Sequence, residues 1–159
     1  MTYFLNSFFT FAKNYKLKIF TNINENIPKN CVSTVGFFDG LHRGHHYLID
    51  NLKKLASEVG TEELVITLWP HPAIVLGRPM KLLNTLDEKI ELFDDAGIKN
   101  ILILEFNEEL ASFSFGKFVN SLLYSRLSCA SIVMGYNNSF GNKSVNEPFD
   151  EKPVIPIQR

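Results

Sequence analysis

Residues 32–60 read VSTVGFFDGLHRGHHYLIDNLKKLASEVG. The first part, Val32 to Phe38, is β-branched and aromatic and runs into Asp39-Gly40, the signature of a strand stopped by a turn. Leu48, Leu52, Leu55, Ala56 and Val59 then make one apolar stripe at helical spacing, and Gly60 is a natural stop. The stretch therefore predicts a strand, a glycine-rich loop and an amphipathic helix, in that order.

The same alternation continues downstream. Glu63 to Trp69 (ELVITLW) reads as a strand ended by Pro70, and Leu86 to Ala96 as a helix with Gly97 at its C-terminal end. Asn100 to Phe106 (NILILEF) is a third strand. Phe115 to Leu127 is a helix with Ser114 at the N-cap position, and Ser128 to Tyr136 is a fourth strand. Upstream, residues 17–20 (LKIF) suit a short strand and Asn22 to Asn30 a loop. The strands are near-continuous apolar runs, as expected where both faces are covered. The fold class is therefore α/β, a mostly parallel, doubly wound sheet with helices on both faces.

Composition narrows the function. The 159 residues suffice for one domain, and 14 phenylalanines supply its core. Sixteen Lys+Arg against seventeen Asp+Glu leave a net charge of −1, which argues against bulk electrostatic binding to nucleic acid or an anionic membrane. No apolar run approaches the length of a membrane span. Cys31 and Cys129 belong to no CxxC pair, so neither a disulfide framework nor a four-thiolate zinc site is expected. A reduced, cytoplasmic, soluble protein is the expectation. We divide the chain into an aromatic extension (1–16), a core domain (17–141) and a short Pro- and charge-rich tail (142–159). Tyr3, Phe4, Phe8, Phe9 and Phe11 in the extension are expected to cover a sheet edge or form a homodimer contact, since such a patch rarely stays bare.

In doubly wound sheets ligands bind outside the C-terminal strand ends. After the first strand, Gly36, Gly40 and Gly44 let the backbone approach a ligand closely. His42 and His45 would share one face at the start of a helix, and two imidazoles beside a helix N-terminus suit a polyphosphate. His46 is read as an exposed or packing residue. With no matched carboxylate or Cys motif nearby, no metal ligation is expected of these histidines. After the second strand, Pro70-His71-Pro72 is a rigid loop, either a pocket wall or a plain turn. After the fourth, Gly135-Tyr136-Asn137-Asn138-Ser139-Phe140-Gly141 suits a base or phosphate, or is a surface loop. Neither GxxxxGK[ST] nor GxGxxG is present.

Together these segments resemble the adenylyltransferase module of bacterial FAD synthetase (bifunctional riboflavin kinase/FMN adenylyltransferase). GFFDGLHRGH at 36–45 resembles that family's GxFDGxHxGH, TLWPHP at 67–72 its TFxPHP, and VMGYNNSFG at 133–141 its VVGxDFxFG. LLNTLDEKIELFDDAGI and LEFNEELASFSFGKFV also agree. HxGH alone marks the wider nucleotidylyltransferase superfamily; the three motifs in this order are far more specific. The resemblance implies a Rossmann-like nucleotidylyltransferase fold and transfer of AMP from ATP, with Mg²⁺, to FMN, giving FAD and pyrophosphate. It implies that His42 and His45 bind and neutralise ATP phosphates and that Asn137 contacts phosphate near the reaction centre. Gly36, Phe37, Phe38, Asp39, Gly40, Gly44 and Gly135 would shape the ATP site. Pro70, His71, Pro72, Phe140 and Gly141 would border the flavin. The family's SSTxIR motif is not spelled after Gly141, and Asn138-Ser139 stand where the family has Phe-Arg. Reduced activity, or binding without turnover, is the expectation attached to those two departures.

Overall fold

A computed structural model describes residues 14–135 and 154–157. Strand β1 is Lys18–Phe20, β2 Val32–Gly36, β3 Glu63–Trp69, β4 Asn100–Glu105, β5 Ser131–Gly135 and β6 Val154–Ile157. Helix α1 is Arg43–Glu58, α2 Pro72–Val75, α3 Leu86–Asp95, α4 Glu108–Ala111 and α5 Phe115–Lys117. The strands form one sheet in the order β1-β4-β3-β2-β5-β6, and every pairing is parallel. The doubly wound α/β expectation holds. Strand β6 falls in the stretch read as a tail and adds to the sheet beside β5.

Alternation along each strand explains the two cores. On β3, Leu64, Ile66 and Leu68 enter one cluster and Val65 the other; on β4, Leu102 enters the first and Ile101 and Ile103 the second. The first cluster is closed by Phe118, Val119, Leu123 and Leu127. The second is closed by Leu48, Ile49, Leu52 and Ala56 of α1 and Ile90 and Phe93 of α3. Each such side chain contributes about 1.5–3 kcal/mol on full burial. A sheet covered on both faces leaves its strand ends as the accessible place for a ligand.

Three local expectations are adjusted. The first strand ends at Gly36, not Phe38, because Phe38 takes a left-handed backbone (φ 49°). Its ring folds back so closely that a Cβ on Gly36 would lie 3.1 Å from it. In α1 the buried stripe includes Ile49, while Val59 lies past the helix end and is 59% exposed. The predicted helix 115–127 is helical but changes pitch: α5 gives way to a π-helical stretch, Phe118–Arg126. There Leu127 N–H donates to the Leu122 carbonyl at 3.0 Å, an i to i+5 bond. The hydroxyls of Ser121 and Ser125 donate to the carbonyls of Lys117 and Asn120. The aromatic residues 3–11 and Asn137, Phe140 and Gly141 lie outside the described residues.

Candidate active site

The strand order reverses at β2, which leads to β3 on one side and has β5 on the other. The ends of β3, β2 and β5 are therefore neighbours, and ligands of doubly wound folds sit at such a switch. Gly36, Trp69 and Gly135 are the last residues of these strands. A Cβ on Gly135 would meet nothing within 4 Å.

The loop after β2 is held from several sides. The Phe37 carbonyl accepts from the Thr67 hydroxyl of β3 (3.3 Å) and from the Lys89 ammonium of α3. An Asp39 carboxylate oxygen accepts from Leu83 N–H at 2.9 Å. Gly40 has φ 69°, and a Cβ there would lie 2.9 Å from Leu83 Cδ1. The positive φ favours glycine here, while the exposed Leu83 side chain can move aside. The Phe38 ring packs edge-on against Phe93 (5.3 Å between centroids) and His45 (5.2 Å).

His42 and His45 come together as their spacing predicts. Their rings stack, with centroids 3.7 Å apart and planes 21° apart. His42 is the N-cap of α1, and its Nδ1 accepts from Gly44 N–H at 3.1 Å. Its neutral ring therefore carries the proton on Nε2, ready to donate. His45 Nδ1 lies 2.9 Å from the Gly40 carbonyl, which can only accept. Nδ1 must be the protonated nitrogen, and Nε2 becomes a donor only when the ring is charged. Burial holds His45 below the usual histidine range, and the charges of His42, His46 and Lys89 act in the same direction. The Gly40 carbonyl opposes them.

Pro70, His71 and Pro72 join this loop. The Trp69–Pro70 peptide is cis, and His71 caps α2, its Nδ1 accepting from Ala73 N–H at 3.2 Å. The His71 ring lies 5.1 Å from Phe37, which meets Phe106 at 6.0 Å. Partial burial lowers the proton affinity of His71; Asp39 raises it and Lys89 lowers it. The Pro-His-Pro segment thus packs against the loop after β2 through the His71–Phe37 contact.

Lys89 was not singled out from the sequence. A lysine on an amphipathic helix normally belongs to the wet face. A signal was nevertheless present: Leu86, Lys89, Ile90 and Phe93 occupy i, i+3, i+4 and i+7, so Lys89 stands within the apolar stripe, and all four are buried.

The FAD synthetase family model matches residues 24–151. The chain belongs to the FAD synthetase family. The bifunctional riboflavin kinase/FMN adenylyltransferase of Bacillus subtilis is 34% identical over 113 residues, covering 69% of this chain and 35% of that protein. That of Listeria monocytogenes is 32% identical over 124 residues, covering 76% and 39%. The chain therefore spans little more than a third of the length of these curated relatives. A solved structure described as a macrolide-efflux protein from Streptococcus pneumoniae superposes with a TM-score of 0.74, over 89% of this chain and 51% of that one. At 22% identity that likeness is one of fold.

Among the described residues no group of three or more His, Cys, Asp or Glu side chains is placed to hold a metal ion. Among them, too, no helix is long and apolar enough to cross a membrane.

Proposed function

We propose that this domain is an FMN adenylyltransferase. An FMN phosphate oxygen attacks the α-phosphorus of ATP in line; the bond from that phosphorus to the α,β-bridging oxygen breaks; FAD forms and pyrophosphate leaves. The observation that carries the reading is the stacked His42–His45 pair at the start of α1, beside the Phe37–His71 wall. Phosphoryl and nucleotidyl transfer rely mainly on positioning and charge stabilisation, so no protein nucleophile is required.

On this reading the chain's own residues divide the work. His42 donates from Nε2 to a phosphate oxygen. His45 binds phosphate as the charged ring, with Nδ1 kept on the Gly40 carbonyl. Its burial disfavours that charge in the free protein, and an arriving polyphosphate supplies the counter-charge that favours it. Gly36, Phe37, Phe38, Asp39, Gly40, Gly44 and Gly135 shape the ATP site. Pro70, His71 and Pro72 border the flavin, and Phe140 and Gly141 are assigned to the same border. Asn137 contacts phosphate near the reacting atoms. Mg²⁺ would arrive with ATP. It would neutralise phosphate charge.

The domain is placed in the cytoplasm, in keeping with two free, buried cysteines, Cys31 and Cys129. The aromatic residues of 1–16 are assigned to homodimer contact or edge covering, and light scattering of the full chain distinguishes a dimer from a monomer. The deciding experiment is chromatography of FMN, ATP and Mg²⁺ incubated with the protein. FAD from the parent and none from the His42→Ala/His45→Ala variant is expected. No FAD from a folded sample that still binds FMN or ATP would replace the enzyme with a non-catalytic binder.

A further inference from the structure

Two charged side chains are buried among the described residues, Glu63 and Lys89. Glu63 lies at the start of β3, away from the site, and accepts from Lys99 N–H at 3.0 Å. Lys89 lies at the other end of the sheet, in the site, and is 2% exposed. Its partners there are neutral: the Phe37 carbonyl and the face of Trp69, whose centroid is 5.3 Å from Nζ. A buried ammonium with neutral contacts is costly and keeps most of its positive field. Asp39 is the acidic group that acts on it, and the Asp39 carboxylate also accepts from the Leu83 backbone. The field of Lys89 reaches His45 on α1 and His71 in the loop after β3.

We propose that Lys89 is a positioning residue for the bound polyphosphate. Its ammonium fixes the Phe37 carbonyl at the root of the glycine loop. It also sets a positive charge that acts on both His45 and His71, so that an anion beside the imidazoles is held by three elements of the fold. This rests on the nucleotide-binding reading above. It adds a residue from α3 to a site otherwise built from strand-end loops and the start of α1. Other charges facing the two histidines are His42 and His46 for His45, and Asp39 for His71.

The test pairs Lys89→Gln, which can still donate to the Phe37 carbonyl, with Lys89→Arg, which keeps the charge. Histidine ring titrations are followed by NMR in the free protein, and pyrophosphate without metal is the ligand probe. In Lys89→Gln the His45 and His71 pKa values are expected to rise. In Lys89→Arg they are expected to stay near those of the parent. Pyrophosphate affinity should fall about tenfold in Lys89→Gln, the loss of one partly screened charge. In the unmodified protein the Lys89 side-chain titration itself should move upward when pyrophosphate binds. That measurement decides the matter even where a variant does not fold. A Lys89 titration indifferent to bound pyrophosphate, or unchanged His45 and His71 titrations in a folded Lys89→Gln, overturns the proposal. Absence of pyrophosphate binding to the unmodified protein overturns the nucleotide-site reading instead, and the ligand-free histidine titrations then judge Lys89 separately.

Discussion

Replacing Lys89 with methionine gives a measurable energetic signature. Burial lowers the Lys89 pKa from 10.5 to about 8, against the opposing pull of Asp39. The folded value lies below the unfolded one, so the unfolded chain holds this proton more tightly. The group therefore costs stability below pH 8, and the cost fades as pH rises toward 10.5. A shift of that size corresponds to about 3 kcal/mol at pH 7, with little screening because the ammonium is 2% exposed. Methionine removes the titration and keeps a similar length. The Phe37 carbonyl retains the Thr67 hydroxyl, which leaves a partner for the exposed acceptor. Urea denaturation of parent and Lys89→Met from pH 6 to pH 10 isolates the effect, since every other titrating group is common to both. Relative to the variant, the parent should gain about 2 to 3 kcal/mol between pH 7 and pH 10, and almost nothing between pH 6 and pH 7. A difference that stays constant across the whole range would refute the buried-ammonium argument, because it would mean that Lys89 titrates alike in both states.

Other outcomes follow from the same geometry. Removing either His42 or His45 should slow FAD formation by about a hundredfold or more, the scale of one lost transition-state donor, measured as kcat by FAD chromatography. A change of less than threefold would deny these rings a phosphate role. Gly40→Ala should lose about 1–2 kcal/mol for its left-handed backbone. The contact with the exposed Leu83 side chain can relax, so unchanged urea stability would show that the loop readily adopts another shape. Thr85→Ala removes half of a reciprocal capping box, in which Glu88 N–H donates to Thr85 Oγ1 and Thr85 N–H to Glu88 Oε2. It should cost about 1 kcal/mol, with faster amide exchange at Glu88 and little loss in Thr85→Ser.

Much of the fold was legible because burial on two faces leaves a plain trace. ELVITLW and NILILE are apolar through their interiors apart from Thr67, and the structure places alternate apolar residues of each in opposite cores. The candidate site was visible in the sequence at Gly36–His45 and at Pro70–Pro72, since glycine, proline and paired histidines at strand ends carry their chemistry in their residue types. Other features were illegible for definite reasons. β6 is a four-residue edge strand containing Pro156, and proline argues against a strand until a partner is known. The π-helical stretch shares its apolar residues with an ordinary helix, so composition does not reveal its pitch. Lys89 was illegible because a lysine on an amphipathic helix normally marks its wet face, whereas this one stands in the buried apolar register. The tautomers of His42 and His45 depend on the Gly44 amide and the Gly40 carbonyl, and no spacing rule reveals those.

The strand order also sets a timetable for folding. Val32 of β2 pairs in register with Glu63 on one side and with Ser131 on the other. The first partner emerges from the ribosome soon after β2, the second roughly a hundred residues later. Closing so long a loop is the slow kind of step in folding. Until β5 docks, the central strand keeps one naked edge, the kind that invites pairing between chains. The glycine loop and the Pro-His-Pro wall can meet early, while the third neighbouring strand end, at Gly135, arrives last. The three strand ends thus come together only after β5 has been made, and mutations that slow β5 docking would lower the yield of folded protein without touching the glycine loop or the Pro-His-Pro segment.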